Sequence, residues 1–314
     1  MTYNPNLDGL RALAVLVVVA FHARVPGFTG GYVGVDLFFV LSGYLITNVF
    51  SSNPNLIRFY IRRAKRLIPA LTLMLAAYLT VFPILRPEHP HVRDALIAFL
   101  YLSDYAAAFW SSPDYLRHTW SLAVEEHFYL LWPLIMLRFR PTVRALLVAY
   151  IVATAWRWGW TGWHEAYYRF DTRLSGLILG CILANLKIDQ KFPAWPGIFM
   201  LAVAATTFHW REYWVQGWGF MIAEIAAAIA ILGTPPRWLS HPQLVYLGKL
   251  SYGVYLWHYP IARLLRDTEV AWQATFLISL SLSVLFAAAS YRWWECYFRD
   301  DPSANRQNKI HTLT

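Results

Sequence analysis

Two basic side chains mark the apolar run from Leu7 to Phe21: Arg11 lies within it and His22 directly follows it. Eleven residues at 100° each make about 1100°, about 20° past three full turns, so on a helix both project from one face about 16 Å apart. A charge at the bilayer centre costs at least ~2.5–3.5 kcal/mol, and such residues therefore usually face a protein-lined cavity. Of the 10 histidines, His22 has the best claim to catalysis, since imidazole can accept a proton at physiological pH. A purely structural pair would use the same two residues, with His22 bonded to a neighbouring carbonyl and Arg11 reaching lipid phosphate.

Other candidates flank this pair. Asp36 opens a second apolar run, within Gly30-Gly31-Tyr32-Val33-Gly34-Val35-Asp36. It can pair with Arg11 or His22 and orient the imidazole, or it can cap the helix. Ser42 and Gly43 permit close helix approach. In Trp120 to Tyr129, Glu125, Glu126 and His127 open another run, and adjacent residues point about 100° apart, so the two carboxylates cannot face one cavity alike. Asp171 with Arg173 forms a charged pair at a membrane boundary, suited to substrate or to bracing a loop. Ser251, Tyr255 and His258 add polar groups to an aromatic stretch that otherwise reads as an interfacial belt. Arg62, Arg63 and Arg66, with Arg58 and Lys65, can bind a phosphorylated donor or lipid headgroups. No metal site is expected: the Trp120 to Tyr129 stretch, with its two carboxylates and an imidazole, holds no Glu-x-x-His pair. Cys181 and Cys296 show no ligand spacing and no disulfide framework.

The elements that must position these residues are membrane helices. The 314 residues are 58% hydrophobic and 14% charged, with a mean hydropathy of +0.38. That leaves too little polar surface to coat a water-facing exterior. Ten spans of about 20 residues leave roughly 110 for connections, with no room for a separate soluble catalytic domain. The net charge of +9 is explained by Lys and Arg in cytoplasmic connections, and nucleic-acid binding is rejected. The first run is read as a retained span rather than a cleaved leader. Further runs near 31–50, 67–85, 93–110, 121–138, 144–160, 173–187, 195–210, 214–233, 246–265 and 272–292 give eleven candidates.

The loop Arg58 to Arg66 should be cytoplasmic and the N-terminus with it. Arg138, Arg140 and Arg144 also belong inside, which requires an even number of crossings between 67 and 138. The segment 93–110 is therefore expected to be re-entrant or to lie along the outer interface. Lys187, Lys191, Arg237 and the tail with Arg299, Arg306 and Lys309 then also fall inside. The result is an all-α polytopic bundle of about ten spans with both termini cytoplasmic. Residues 1–298 form the membrane domain and 299–314 a polar, disordered tail. Eleven spans with the C-terminus outside is the alternative. No internal repeat supports an inverted-repeat transporter.

Taken together, these stretches resemble the acyltransferase 3 family of integral membrane acyltransferases, from Leu7 to about Phe298. The most specific element is Arg11, ten residues and His22, introduced by Leu7-Asp8-Gly9-Leu10-Arg11-Ala12. The glycine-rich second span, Phe59 with Arg62, Arg63, Arg66 and Pro69, the Trp120 to Tyr129 stretch, Asp171 with Arg173, and Ser251 to Pro260 follow in order. The resemblance implies a bacterial inner-membrane enzyme that moves an acyl group, often acetyl from acetyl-CoA, to a hydroxyl of a cell-surface glycan, lipid-linked sugar or glycosylated small molecule. No permanently bound cofactor is implied; acyl-CoA is a co-substrate, and membrane lipid surrounds the chain. His22 carries the base role and Arg11 a donor-binding or organising role, while Glu125 or Asp36 would hold the imidazole tautomer. His127 stands where the family commonly has Gln. No hydrolase-like domain follows the last span, so no two-domain relay within one chain is expected. A transporter or flippase for a lipid-linked or anionic solute is the competing class, followed by a non-catalytic sensor.

Overall fold

Asn4 starts the first helix by accepting a hydrogen bond from the Asn6 amide at 3.1 Å, with Pro5 supplying a preset φ at the first helical position. The computed structural model describes residues 3–160, 162–186, 192–210 and 212–298. Lys187, Lys191 and the tail read as disordered, 299–314, lie outside the described residues. Among the described residues thirteen α-helices follow in order: α1 Pro5–His22, α2 Val33–Ser52, α3 Leu56–Leu85, α4 His91–Phe99, α5 Ser103–Trp110, α6 Trp120–Phe139, α7 Val143–Trp158, α8 Trp163–Tyr168, α9 Phe170–Asn185, α10 Trp195–Thr207, α11 Phe220–Leu232, α12 Pro242–Asp267 and α13 Trp272–Ala289. No strand forms among the described residues, only an isolated bridge between Pro193 and Thr234.

Among the described residues, five stretches are long and apolar enough to cross a membrane: α1, α2, α3, Val215–Leu232 (which includes α11) and Trp272–Tyr297 (which includes α13). The count is below the ten expected for a physical reason. Helices α7, α9 and α10 have 16, 16 and 13 residues, and the apolar runs of α6 and α12 are diluted by polar and aromatic side chains such as Glu125, Glu126, His127, Lys249 and His258.

Two expectations about individual segments need revision or refinement. The Arg58–Arg66 stretch is not a loop. It is the start of the 30-residue α3: Asn55 caps it through the Arg58 amide at 2.9 Å, and no Gly or Pro interrupts the basic stretch before Pro69. Spacing by four therefore puts Arg58, Arg62 and Arg66 on one face. Segment 93–110 breaks between α4 and α5, where Tyr101 takes φ of 55°. Helices of 9 and 8 residues reach only about 12–14 Å, well short of the ~30 Å hydrocarbon core.

Close helix crossings set the relative directions. Asp8 lies against Gly248 and His22 against His258, so α1 and α12 run parallel. Asp36 meets Arg173, and Gly43 and Val40 meet Leu177 and Gly180, so α2 and α9 also run parallel. Gly31 and Gly34 meet Val17 and Ala14, making α2 antiparallel to α1. The crossing of α2 on α9 needs glycine: a Cβ on Gly43 would fall 2.0 Å from the Leu177 carbonyl oxygen. Gly43→Ala is expected to cost about 1–3 kcal/mol by forcing α2 and α9 apart. The measurement is the midpoint of thermal unfolding in detergent; an unchanged midpoint would mean that the backbone contact is not needed.

Candidate active site

A cavity of about 390 Å³ lies among α1, α2, α3, α6 and α12. Its mouth is basic, formed by Arg58, Arg62 and Arg66 with Asn53 and Asn55. Periodicity decides which residues of α2 enter it. Val35, Phe38, Ser42, Leu45 and Val49, spaced by three and four, line the cavity, whereas Asp36, Val40 and Gly43 face α9. On α6, Ser121, Glu125 and Tyr129 share the cavity face.

Part-way in, Arg63 lies over the Tyr129 ring at 3.3 Å and 3.7 Å from Glu126, while Ser42 Oγ donates to Glu125 Oε1 at 2.6 Å. Arg11 also lines the wall, paired with Asp8 of its own helix at 3.2 Å. On α12 the lining ends at Tyr255, whose hydroxyl meets Ser121 Oγ at 2.7 Å and donates to the His118 carbonyl at 2.9 Å.

One turn beyond Tyr255, an imidazole cluster closes the far side. His22 Nδ1 and His258 Nε2 are 2.9 Å apart, and His258 Nδ1 donates to the Tyr255 carbonyl at 2.6 Å. Tyr259 presents its edge to His22, with centroids 4.8 Å apart, and stacks on His118 at 5.0 Å. His22 is half-buried and His258 fully buried.

The structure therefore gathers Arg11, Arg62, Arg63, Arg66, Glu125, Ser251 and Tyr255 around one cavity. His22 and His258 lie next to its wall rather than in its lining. The carboxylate foreseen as the partner of His22 is not there. Glu125 is held by Ser42, and Asp36 turns to the opposite side of α2, where Arg173 Nη2 donates to it at 2.6 Å. Asp171 does not reach the cavity either; Arg169 Nε at 2.9 Å and Trp156 Nε1 at 2.6 Å bind its carboxylate. His127 approaches the buried Asp104 at 3.3 Å. Among the described residues, no group of three or more His, Cys, Asp or Glu side chains is placed to hold a metal ion.

Comparison with known proteins gives this geometry a context. The model of the family described as Acyltransferase domain matches residues 4–292. The chain belongs to the acyltransferase family. O-acetyltransferase OatA of Staphylococcus aureus strain NCTC 8325 / PS 47 is 36% identical over 347 residues, covering 95% of this chain and 57% of the relative. OatA of strain COL matches to the same extent. The chain thus spans little more than half the length of these curated relatives. No solved structure matches it. Together with the apolar helices, the family places the chain among multi-pass membrane proteins.

Within this acyltransferase-family chain, some residues escaped the sequence reading. His118 and Tyr259 complete the imidazole cluster, and only the fold brings 118 beside 258. Arg157 and Glu224 form a second buried ion pair at 3.3 Å, with side chains 0% and 2% exposed. A signal for that pair was available: each is a charged residue inside an apolar run, the feature that singled out Arg11.

Proposed function

We propose that the protein is a bacterial inner-membrane O-acyltransferase that moves an acyl group, acetyl in the simplest case, from acyl-CoA to a hydroxyl of a cell-surface glycan, lipid-linked sugar or glycosylated small molecule. The observation that carries this reading is the basic-mouthed cavity, which ends at Tyr255 one turn from the His22–His258 pair. At about 390 Å³ it is near the small end of ligand pockets, suited to an extended pantetheine arm rather than a whole nucleotide. The CoA phosphates then fall at the mouth, where Arg58, Arg62 and Arg66 meet them. The resemblance of the matched relatives, both O-acetyltransferases, supports oxygen as the accepting atom.

The reaction proceeds by direct attack. His22 removes the proton of the acceptor hydroxyl as its oxygen adds to the thioester carbonyl. The C–S bond then breaks, and the imidazolium returns the proton to the departing thiolate. Tyr255 and Ser121 stand where the thioester must come to meet His22. The parallel pairs α1 with α12 and α2 with α9 favour ten spans with both termini cytoplasmic. Counting the broken segment 93–110 as a crossing would make both pairs antiparallel.

Purified protein in liposomes tests the reading: release of free CoA from acetyl-CoA should require an acceptor. Solute flux without thioester consumption would replace it with the transporter, and an acyl adduct trapped on the chain with donor alone would replace direct attack. In the same assay, Arg62→Ala is expected to raise the donor KM by about tenfold or more with little change in kcat, since a charge-assisted bond to phosphate contributes about 1.5–3 kcal/mol. A KM insensitive to Arg62 and to added salt would remove the phosphates from that mouth.

A further inference from the structure

We propose that His258 is a positioning residue that fixes the tautomer of His22, leaving His22 Nε2 as the nitrogen that takes the acceptor's proton. The inference rests on the reading of His22 as base and assigns a role to its neighbour. A carbonyl oxygen can only accept, so the 2.6 Å bond from His258 Nδ1 to the Tyr255 carbonyl requires a proton on Nδ1. A neutral imidazole then has a lone pair on the other nitrogen, and His258 Nε2 must accept. Its partner at 2.9 Å is His22 Nδ1, which therefore carries the proton of that bond. His22 Nε2 is left with a free lone pair.

The opposite assignment requires a charged His258, donating from both nitrogens. That residue is 0% exposed, and the rings around it are those of His22, His118, Tyr255 and Tyr259, with no carboxylate among them. Burying an unpaired charge there is costly, so the neutral chain is the stable one. The ring planes are set as well. Tyr259 meets His22 edge-on at 87° while lying nearly parallel to His118, which is itself fixed by donating from Nε2 to the Leu256 carbonyl at 3.1 Å. The arrangement performs the orienting task that a carboxylate performs in a hydrolase triad, but with a neutral acceptor. When His22 becomes imidazolium, its Nδ1–H still points at a lone pair.

Two measurements test this. In nitrogen-15 histidine NMR of the whole protein in nanodiscs, with His22 assigned by its loss in His22→Gln, Nδ1 should resonate as a protonated ring nitrogen and Nε2 as an unprotonated one. The reverse pattern overturns the proposal. In the acyl-transfer assay, His258→Leu, which has no acceptor, should lower kcat by about 10–100-fold at unchanged donor KM, the usual size of an outer-shell loss. His258→Gln, whose amide oxygen can accept, should recover part of it. His258→Leu within twofold of the parent protein overturns the proposal, as does a His258→Gln no better than His258→Leu in equally folded protein. Should His258→Leu fail to fold, the NMR of the unaltered protein decides alone. Full activity in His22→Gln, by contrast, removes the base assignment and leaves the observed tautomer standing.

Discussion

Replacing His22 with glutamine is expected to lower kcat by about 10²–10⁴-fold, the usual worth of general-base help, while the donor KM stays within about twofold. Glutamine is close to histidine in reach and can still bond to His258, so the packing of α1 on α12 is largely kept. What it cannot do is take up the acceptor's proton. The KM should be spared because His22 is absent from the lining of the cavity that would hold the donor, whereas Arg11, Arg62 and Arg63 are present in it. A structural His22 predicts the opposite pattern: a lowered unfolding midpoint and near-normal turnover in the protein that remains folded. Turnover measured per folded molecule, with the midpoint of thermal unfolding alongside, separates the two.

The sequence was most informative where periodicity alone decides. Arg11 and His22 stand out as polar breaks in an apolar run; Arg11 lines the cavity, and His22 lies beside its wall against His258. The partners of charged residues were less legible, because they depend on which helix packs against which. The local sequence of Asp36 admits Arg11, His22 or a cap, and only the parallel crossing of α2 on α9 selects Arg173, 137 residues away. His258 had the same problem. Its spacing from Tyr255 was visible, but its contact with His22 spans 236 residues. The interruption at 93–110 follows from charge parity rather than from propensity, since nothing in Leu100-Tyr101-Leu102 announces a left-handed residue. The basic cluster reads as a loop from its charge alone, because density of charge is a weaker guide to helix ends than the Asn55 cap before it.

Asp36→Leu is expected to destabilise the fold by about 3–5 kcal/mol, the cost of leaving one member of a buried ion pair alone. Asp36 and Arg173 are each 1% exposed, and their 2.6 Å contact ties α2 to α9. The guanidinium also lies 4.0 Å from the Phe220 ring centroid and 5.2 Å from that of Tyr167, so aromatic faces supply part of its stabilisation but no counter-charge. Removing both charges should hurt less than removing one. Asp36→Leu with Arg173→Met is expected to recover most of the lost unfolding midpoint, because replacing a buried pair with apolar side chains of similar volume is often neutral. The same double variant examines the catalytic role first read into Asp36. If the carboxylate only ties helices together, turnover should return with the fold, since the imidazole takes its orientation from α12. If the fold returns and turnover does not, Asp36 acts on the chemistry from behind Phe39, and the separation of the two polar clusters across α2 is not a separation of function.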